Sequence, residues 1–196
     1  RERLLAAAAE IAAERGYVGT TISRVCERSG LPVSSLYWFF EDKDQLLAEV
    51  VGHSFDEWIA HQPAWTPCLS SSRRPAALRR ILKRSTRSLA DAPDFLRIGH
   101  MLALERQEVE TAARARFLQV RDDVELQLAG WFRGTLTDTD LAGDDELPVA
   151  LARLVIAITD GLFLGEQLDE ADWDTDAFVD LLVDLLEAVV AHRGAG

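Results

Sequence analysis

Residues 21–47 read TISRVCERSGLPVSSLYWFFEDKDQLL, and the fold turns on how this stretch is read. Thr21 is a good N-cap for a short helix over residues 22–29, whose Val25 and Cys26 point inward. Gly30-Leu31-Pro32 forms a turn, since Gly adopts positive φ and Pro suits a helix start. A second short helix follows from Val33 to about Phe40, and Asp42 caps a third that carries Leu46, Leu47 and Val50. Two short helices joined by a three-residue Gly-containing turn have the form of a helix-turn-helix. In that unit the second helix enters the major groove and its first residues meet base edges. Val33, Ser34 and Ser35 occupy those places: Ser can bond to several bases, and Val can touch a thymine methyl.

The crowded run Tyr37-Trp38-Phe39-Phe40 then has a reason. Spacing at i, i+3 and i+4 turns Leu36, Phe39 and Phe40 toward a three-helix core. Tyr37 and Trp38 are left outside, offering an O–H, an N–H and flat apolar faces to phosphate and sugar. Lys43, at the start of the next helix, is placed to hold a phosphate.

Outward from this stretch, 3.6-residue periodicity recurs and strand signals are nearly absent. Leu4, Leu5, Ala8, Ile11 and Ala12 form a stripe over residues 2–15, which Gly16 ends. The helix capped by Asp42 ends before Pro63, and residues 64–74 (AWTPCLSSSRR) read as a linker. Further helices are predicted near 75–90, 94–108, 111–134, 146–168 and 174–192. Breaks fall at Asp91-Ala92-Pro93, near Glu110, over 135–145 and over 170–174. The expectation is an all-α chain of about nine helices: a helix-turn-helix domain over 1–45 and a helical ligand-binding and dimerisation domain over 46–196.

The net charge of −12 argues against a nucleic-acid partner until its distribution is examined. Residues 1–40 hold five Arg against four Glu, and residues 73–106 are net +6. Residues 107–196 hold six Arg against twenty acids, so the acidity belongs to the C-terminal half. The basic outer side of residues 79–87 reads as solvated or as facing that acidic half.

The stretch AAAAEIAAERGYVGTTISRVCERSGLPVSSLYWFFEDKDQLLAEVV closely resembles the DNA-binding domain of the tetracycline-repressor (TetR) family of transcriptional regulators. The matching marks are Gly16-Tyr17, Thr20-Thr21, Gly30, Leu36-Tyr37, Phe40, Lys43 and Leu46-Leu47, within residues 4–51. The resemblance implies a DNA surface lined by Thr21, Ser23, Arg24, Val33, Ser34, Ser35, Tyr37, Trp38 and Lys43. Two positions depart from the family pattern. Pro32 stands where Ser usually caps the recognition helix, and Val33 where a Lys or polar residue is frequent. Affinity and base preference depend on both.

The last two helices are apolar over more than one face. Phe178, Leu182, Leu185 and Val189 form one stripe, and Val179, Val183, Leu186 and Val190 a second. Leu151, Leu154, Ile158 and Leu162 do the same one helix earlier, with Ala150, Ala157, Gly161 and Gly165 permitting close approach. Such helices are either fully buried or shared between a core and a partner. The resemblance implies a homodimer built on them, with Leu151, Leu154, Ile158, Leu162, Phe178, Leu182, Leu185 and Val189 at or beside the seam. It also implies a cavity for a small-molecule effector in the middle helices, whose aromatics otherwise read as core. Trp58, Phe95, His100, Met101, Phe117, Trp131, Asp160 and Phe163 are its candidate lining.

Enzyme signatures are missing: there is no G-x-S-x-G, H-E-x-x-H, G-x-G-x-x-G or P-loop. His53, Glu57 and His61 share a helical face that could take a metal, though a solvated helix edge explains them as well. No cofactor and no membrane partner is expected, because charges interrupt the apolar stretches before 18 residues. Cys26 and Cys68 form no C-x-x-C and no metal spacing, so the expected location is cytoplasmic. The rival to a ligand-responsive repressor is a helical interaction module or small-molecule-binding protein without sequence-specific DNA binding.

Overall fold

The computed structural model of the chain describes residues 1–89, 94–104, 111–168 and 173–194. Among these residues there are ten α-helices, nine of them seven residues or longer, and no strand. They are α1 Glu2–Gly19, α2 Ile22–Ser29, α3 Val33–Phe39, α4 Lys43–Ala60, α5 Arg74–Leu89, α6 Asp94–Leu104, α7 Ala112–Thr135, α8 Asp138–Leu141, α9 Leu147–Leu168 and α10 Thr175–Gly194. The predicted breaks at Asp91-Ala92-Pro93, at Glu110 and over 170–172 lie outside the described residues. The chain divides into two compact units, each built from two segments: residues 1–61 with 92–121, and residues 62–91 with 122–196.

The first unit packs α1 against α2, α4 and α6. Leu4, Leu5, Ala8, Ile11 and Ala12 of α1 are buried, as the stripe predicts, together with Val25, Cys26, Leu46, Leu47, Val50 and Val51. Gly16 interrupts α1 with φ 69°, ψ −177°, a conformation that side chains with a Cβ resist. Thr20 is buried beyond it and donates its hydroxyl to the Gly16 carbonyl at 2.8 Å. Gly30 closes α2 at φ 65°, with its N–H turned back to the Cys26 and Glu27 carbonyls. Thr21 and Asp42 cap α2 and α4, accepting from the Arg24 and Gln45 N–H groups.

In the aromatic run, Leu36 and Phe40 are buried but Phe39 is not. The helix ends at Phe39, and Phe40 turns extended (φ −135°, ψ 134°), which swings it into the core and leaves Phe39 outside. The expectation that all three face inward is corrected on this point. Farther on, Gly99 makes room for the Phe117 ring, since a Cβ there would lie 2.1 Å from it.

The second unit has its own core. Leu78, Ile81 and Leu82 of α5 join Trp131, Phe132, Leu147, Leu151, Val155, Val179, Leu182, Val183, Leu186 and Val190. The basic side of α5 meets the acids of α10. Arg79 bridges Asp180 and Asp184, Lys83 reaches Asp180 at 2.7 Å, and Arg87 pairs with Asp176. Arg74, buried at the end of the predicted linker, donates to Glu187 at 2.7 and 2.9 Å and to Asp140 at 2.9 Å. The region 135–145 is not a plain loop: Thr137 and Asp140 form a capping box around the single turn of α8.

α9 is also more apolar than the sequence reading allows. By length and composition it is long and apolar enough to cross a membrane. Arg153, Asp160 and Glu166 interrupt it, but they lie far enough apart to leave long apolar runs between them. Part of α9 packs into the core of this unit through Leu147, Leu151, Ala152 and Val155.

Candidate nucleic-acid interface

α3 stands on the first unit because Leu36 and Phe40 anchor it and Gly30 sets the turn from α2. Its other side is open. Val33 is 46% exposed, Tyr37 56%, Trp38 84% and Phe39 45%, with Ser34 exposed and Ser35 half-buried between them. Thr21, Ser23 and Arg24 of the α2 segment are exposed as well. The pair of helices therefore offers hydroxyls, an indole N–H and aromatic faces, which can bond to phosphate oxygens and to base edges.

The charges around this surface are largely engaged. Lys43 donates its ammonium to the Tyr17 carbonyl at 3.1 Å and sits 3.8 Å from the centre of the Tyr17 ring. The predicted phosphate-holder is thus half-buried against α1, with one of its three donors committed. Arg24 donates to the Gly19 carbonyl. Arg28 forks onto Glu14 at 3.0 Å and reaches Glu10 at 2.9 Å. That guanidinium holds the Glu14 carboxyl below the usual carboxylate range. Behind the interface, Asp44 accepts from the Ala112 and Ala113 N–H groups and from the Tyr17 hydroxyl. The first turn of α4 is therefore tied to the N-terminus of α7. Sequence reasoning missed Asp44, because nothing local marks an acid that caps a helix 68 residues away.

The predicted effector residues fall in both units. In the first, Phe95 lies 5.5 Å from Phe55 and from Trp58 between ring centres, and His100 lies 5.8 Å from Phe117. The His100 ring nitrogen Nδ1 bonds to the Leu96 carbonyl at 2.8 Å, and Met101 is half-buried beside it in sequence. In the second, Trp131 is buried and donates its indole N–H to the Thr66 carbonyl at 3.0 Å. Phe163 is buried and Asp160 half-buried on α9. His53 pairs with Glu57 at 3.5 Å, while the His61 ring bonds to the Glu57 carbonyl.

The predicted seam residues separate into two sets. Leu151, Leu162 and Leu182 are buried within the second unit and Ile158 is partly buried against its core. Leu154, Phe178, Leu185 and Val189 are exposed. The α10 stripe thus shifts by one residue: Leu182 turns inward, and Leu181, which the sequence reading passed over, takes its place outside. The spacing of residues 178, 181, 185 and 189 at i, i+3, i+7 and i+11 carried that signal.

Residues 4–50 match the profile of the family described as bacterial regulatory proteins, tetR family. Over 77 residues the chain is 35% identical to the HTH-type transcriptional regulator LmrA of Bacillus subtilis, a match covering 39% of each protein. The matched stretch therefore spans about two fifths of that relative's length. A solved TetR-type transcriptional regulator of Streptomyces avermitilis is 25% identical with a TM-score of 0.66, over 95% of this chain and 97% of that one. A transcriptional regulator of Rhodococcus sp. RHA1 shares the fold at 20% identity and a TM-score of 0.70, over 95% of each chain. So does SmeT, the repressor of the Stenotrophomonas maltophilia multidrug efflux pump SmeDEF, at 20% identity and a TM-score of 0.68, over 95% of this chain and 88% of that one.

Proposed function

We propose that this chain, whose residues 4–50 match the tetR family of bacterial regulatory proteins, is a cytoplasmic DNA-binding transcriptional repressor of that family, responsive to a small molecule. Regulators of this family bind DNA and small-molecule effectors as dimers. Residues 1–45 form the DNA-binding part, and residues 46–196 the effector and dimerisation part. The observation that carries the reading is the outward face of α3, where Val33, Ser34, Tyr37 and Trp38 stand exposed on the second helix of a helix-turn-helix. A helical interaction module has no need of hydroxyls at the start of such a helix.

Two copies join through the exposed apolar faces of α9 and α10, Leu154 on one and Phe178, Leu181, Leu185 and Val189 on the other. A row of this size left in water marks an interaction site. The two recognition helices of the dimer then address a near-palindromic operator. The effector is a small, largely apolar molecule that enters beside Trp58, Phe95, His100, Met101 and Phe117. It favours a dimer whose recognition helices no longer match the half-site spacing, and it does so only by binding that state more tightly.

A gel shift with the purified protein and the DNA upstream of its own gene tests the reading. A discrete complex that resists excess unrelated duplex is expected; binding no tighter than to unrelated duplex contradicts it.

A further inference from the structure

The recognition helix has an unusual chemical inventory. None of its seven residues is charged, and Glu41 and Asp42 follow one residue beyond its end. Lys43, Arg24 and Arg28 of the same unit are engaged at Tyr17, at Gly19, and at Glu10 and Glu14. Bidentate reading of guanine, the commonest specific contact, needs an Arg or Lys on the helix, and α3 has none. Asn, Gln, Asp and Glu, which read adenine and cytosine, are missing from it too. What α3 does present is two serines and four part-exposed apolar or aromatic groups. Serine hydroxyls donate or accept with any base, so they discriminate weakly. The major-groove feature that an apolar side chain can recognise is the thymine C5-methyl.

We propose that this protein selects its operator through thymine methyl groups, with Val33 as the specificity-determining residue. Val33 opens the helix, at the place where recognition-helix residues meet base edges, and nearly half of its surface is free. Its branched side chain has two methyls to close over a thymine methyl. A Lys at this position would instead bond to a base or phosphate acceptor. Tyr37, Trp38 and Phe39 extend the same apolar surface over sugar and base faces. The half-site therefore contains at least one thymine whose methyl, rather than its hydrogen-bonding edge, is read. This inference rests on the DNA-binding reading above, and its test separates the two.

The protein is used to select duplexes from a random-sequence pool, and the recovered site is resynthesised with deoxyuridine replacing thymine, one position at a time. Deoxyuridine keeps every hydrogen-bonding group and removes only the methyl. At one thymine per half-site, affinity is expected to fall about fourfold, the loss that corresponds to one buried methyl group. At that position 5-methylcytosine is expected to bind more tightly than cytosine. Val33→Ala, an exposed position that leaves the fold intact, is expected to bind the thymine and deoxyuridine sites equally, while Val33→Thr keeps part of the difference. A recovered site at which no deoxyuridine lowers affinity overturns the inference and leaves the DNA reading standing. So does a Val33→Ala variant that keeps the full difference. A pool that yields no site at all overturns both.

Discussion

Phe39 and Phe40 carry the same side chain on adjacent positions, yet one is half in water and the other is buried. Periodicity placed both inside, because it assumes that the helix continues; the chain leaves helical geometry at Phe40 instead. Tyr37 and Trp38 stand outside, where the same periodicity left them. Tyr37→Ala is expected to weaken binding to every duplex, since a backbone contact carries no sequence information. Ser34→Ala is expected to leave base preference nearly unchanged, since a serine hydroxyl pairs with any base. Titrating each variant against a panel of single-base operator variants checks both. Asp94, partly buried at the start of α6, supplies a prediction in pH. Burial pushes its carboxyl above the ordinary 3.8, with Glu10 and Glu57 adding and Arg97 opposing. A raised folded value means that the fold prefers the protonated form, so ionisation costs stability above it. Asp94→Asn is expected to stabilise the protein at neutral pH, with the gain vanishing as pH falls below 3.8; chemical denaturation at several pH values reads this directly.

At the scale of elements, helix placement was legible because caps and breakers sit where local chemistry requires them: Thr21, Gly30, Asp42 and Gly16 all did. What was not legible was the orientation of helices with two apolar faces. In α10 the stripes of residues 178–189 and 179–190 differ by one residue, and only the packing against α5 and α9 decides which of them points out. Leu185→Asp and Leu181→Asp put a carboxylate on the exposed face. They are expected to give a folded monomer by sedimentation, whereas Leu182→Asp buries an unpaired charge and is expected to unfold the chain. The α5–α10 charge ladder was foreseen only as one of two options, since a basic helix face reads alike whether solvated or paired. Most of its pairs are exposed and each is worth about 0–1 kcal/mol. Arg74 differs, being buried between Glu187 and Asp140; Arg74→Ala is expected to cost about 3–5 kcal/mol in urea unfolding. Burial raises the Asp140 carboxyl, but hydrogen bonds from Thr137 and Arg74 outweigh it and hold it below the ordinary 3.8. Its contribution is therefore full above that value and is lost as the pH falls through the lowered one.

At the scale of the whole molecule, the fold class was legible in the sequence, and so was the helix-turn-helix, because that unit is local and dense in signals. The proposed effector residues were not legible in the same way. An aromatic inside a helix gives the same pattern whether it fills a core or lines a cavity, and Trp131, with its N–H satisfied by Thr66, is a core residue in this structure. Trp58, half-buried at the rim of the Phe55–Phe95 cluster, is the better probe. Trp58→Ala is expected to weaken ligand-driven release from DNA while leaving ligand-free affinity nearly intact. In the function proposed above, two copies of this chain read a two-fold operator through α3. Hydroxyl-radical footprinting of the protein on the DNA upstream of its gene tests it most directly. Two protected patches are expected on one face of the duplex, related by a two-fold axis and about one helical turn or a multiple of it apart, each lost in Tyr37→Ala. A single unpaired patch, uniform protection, or none would contradict it.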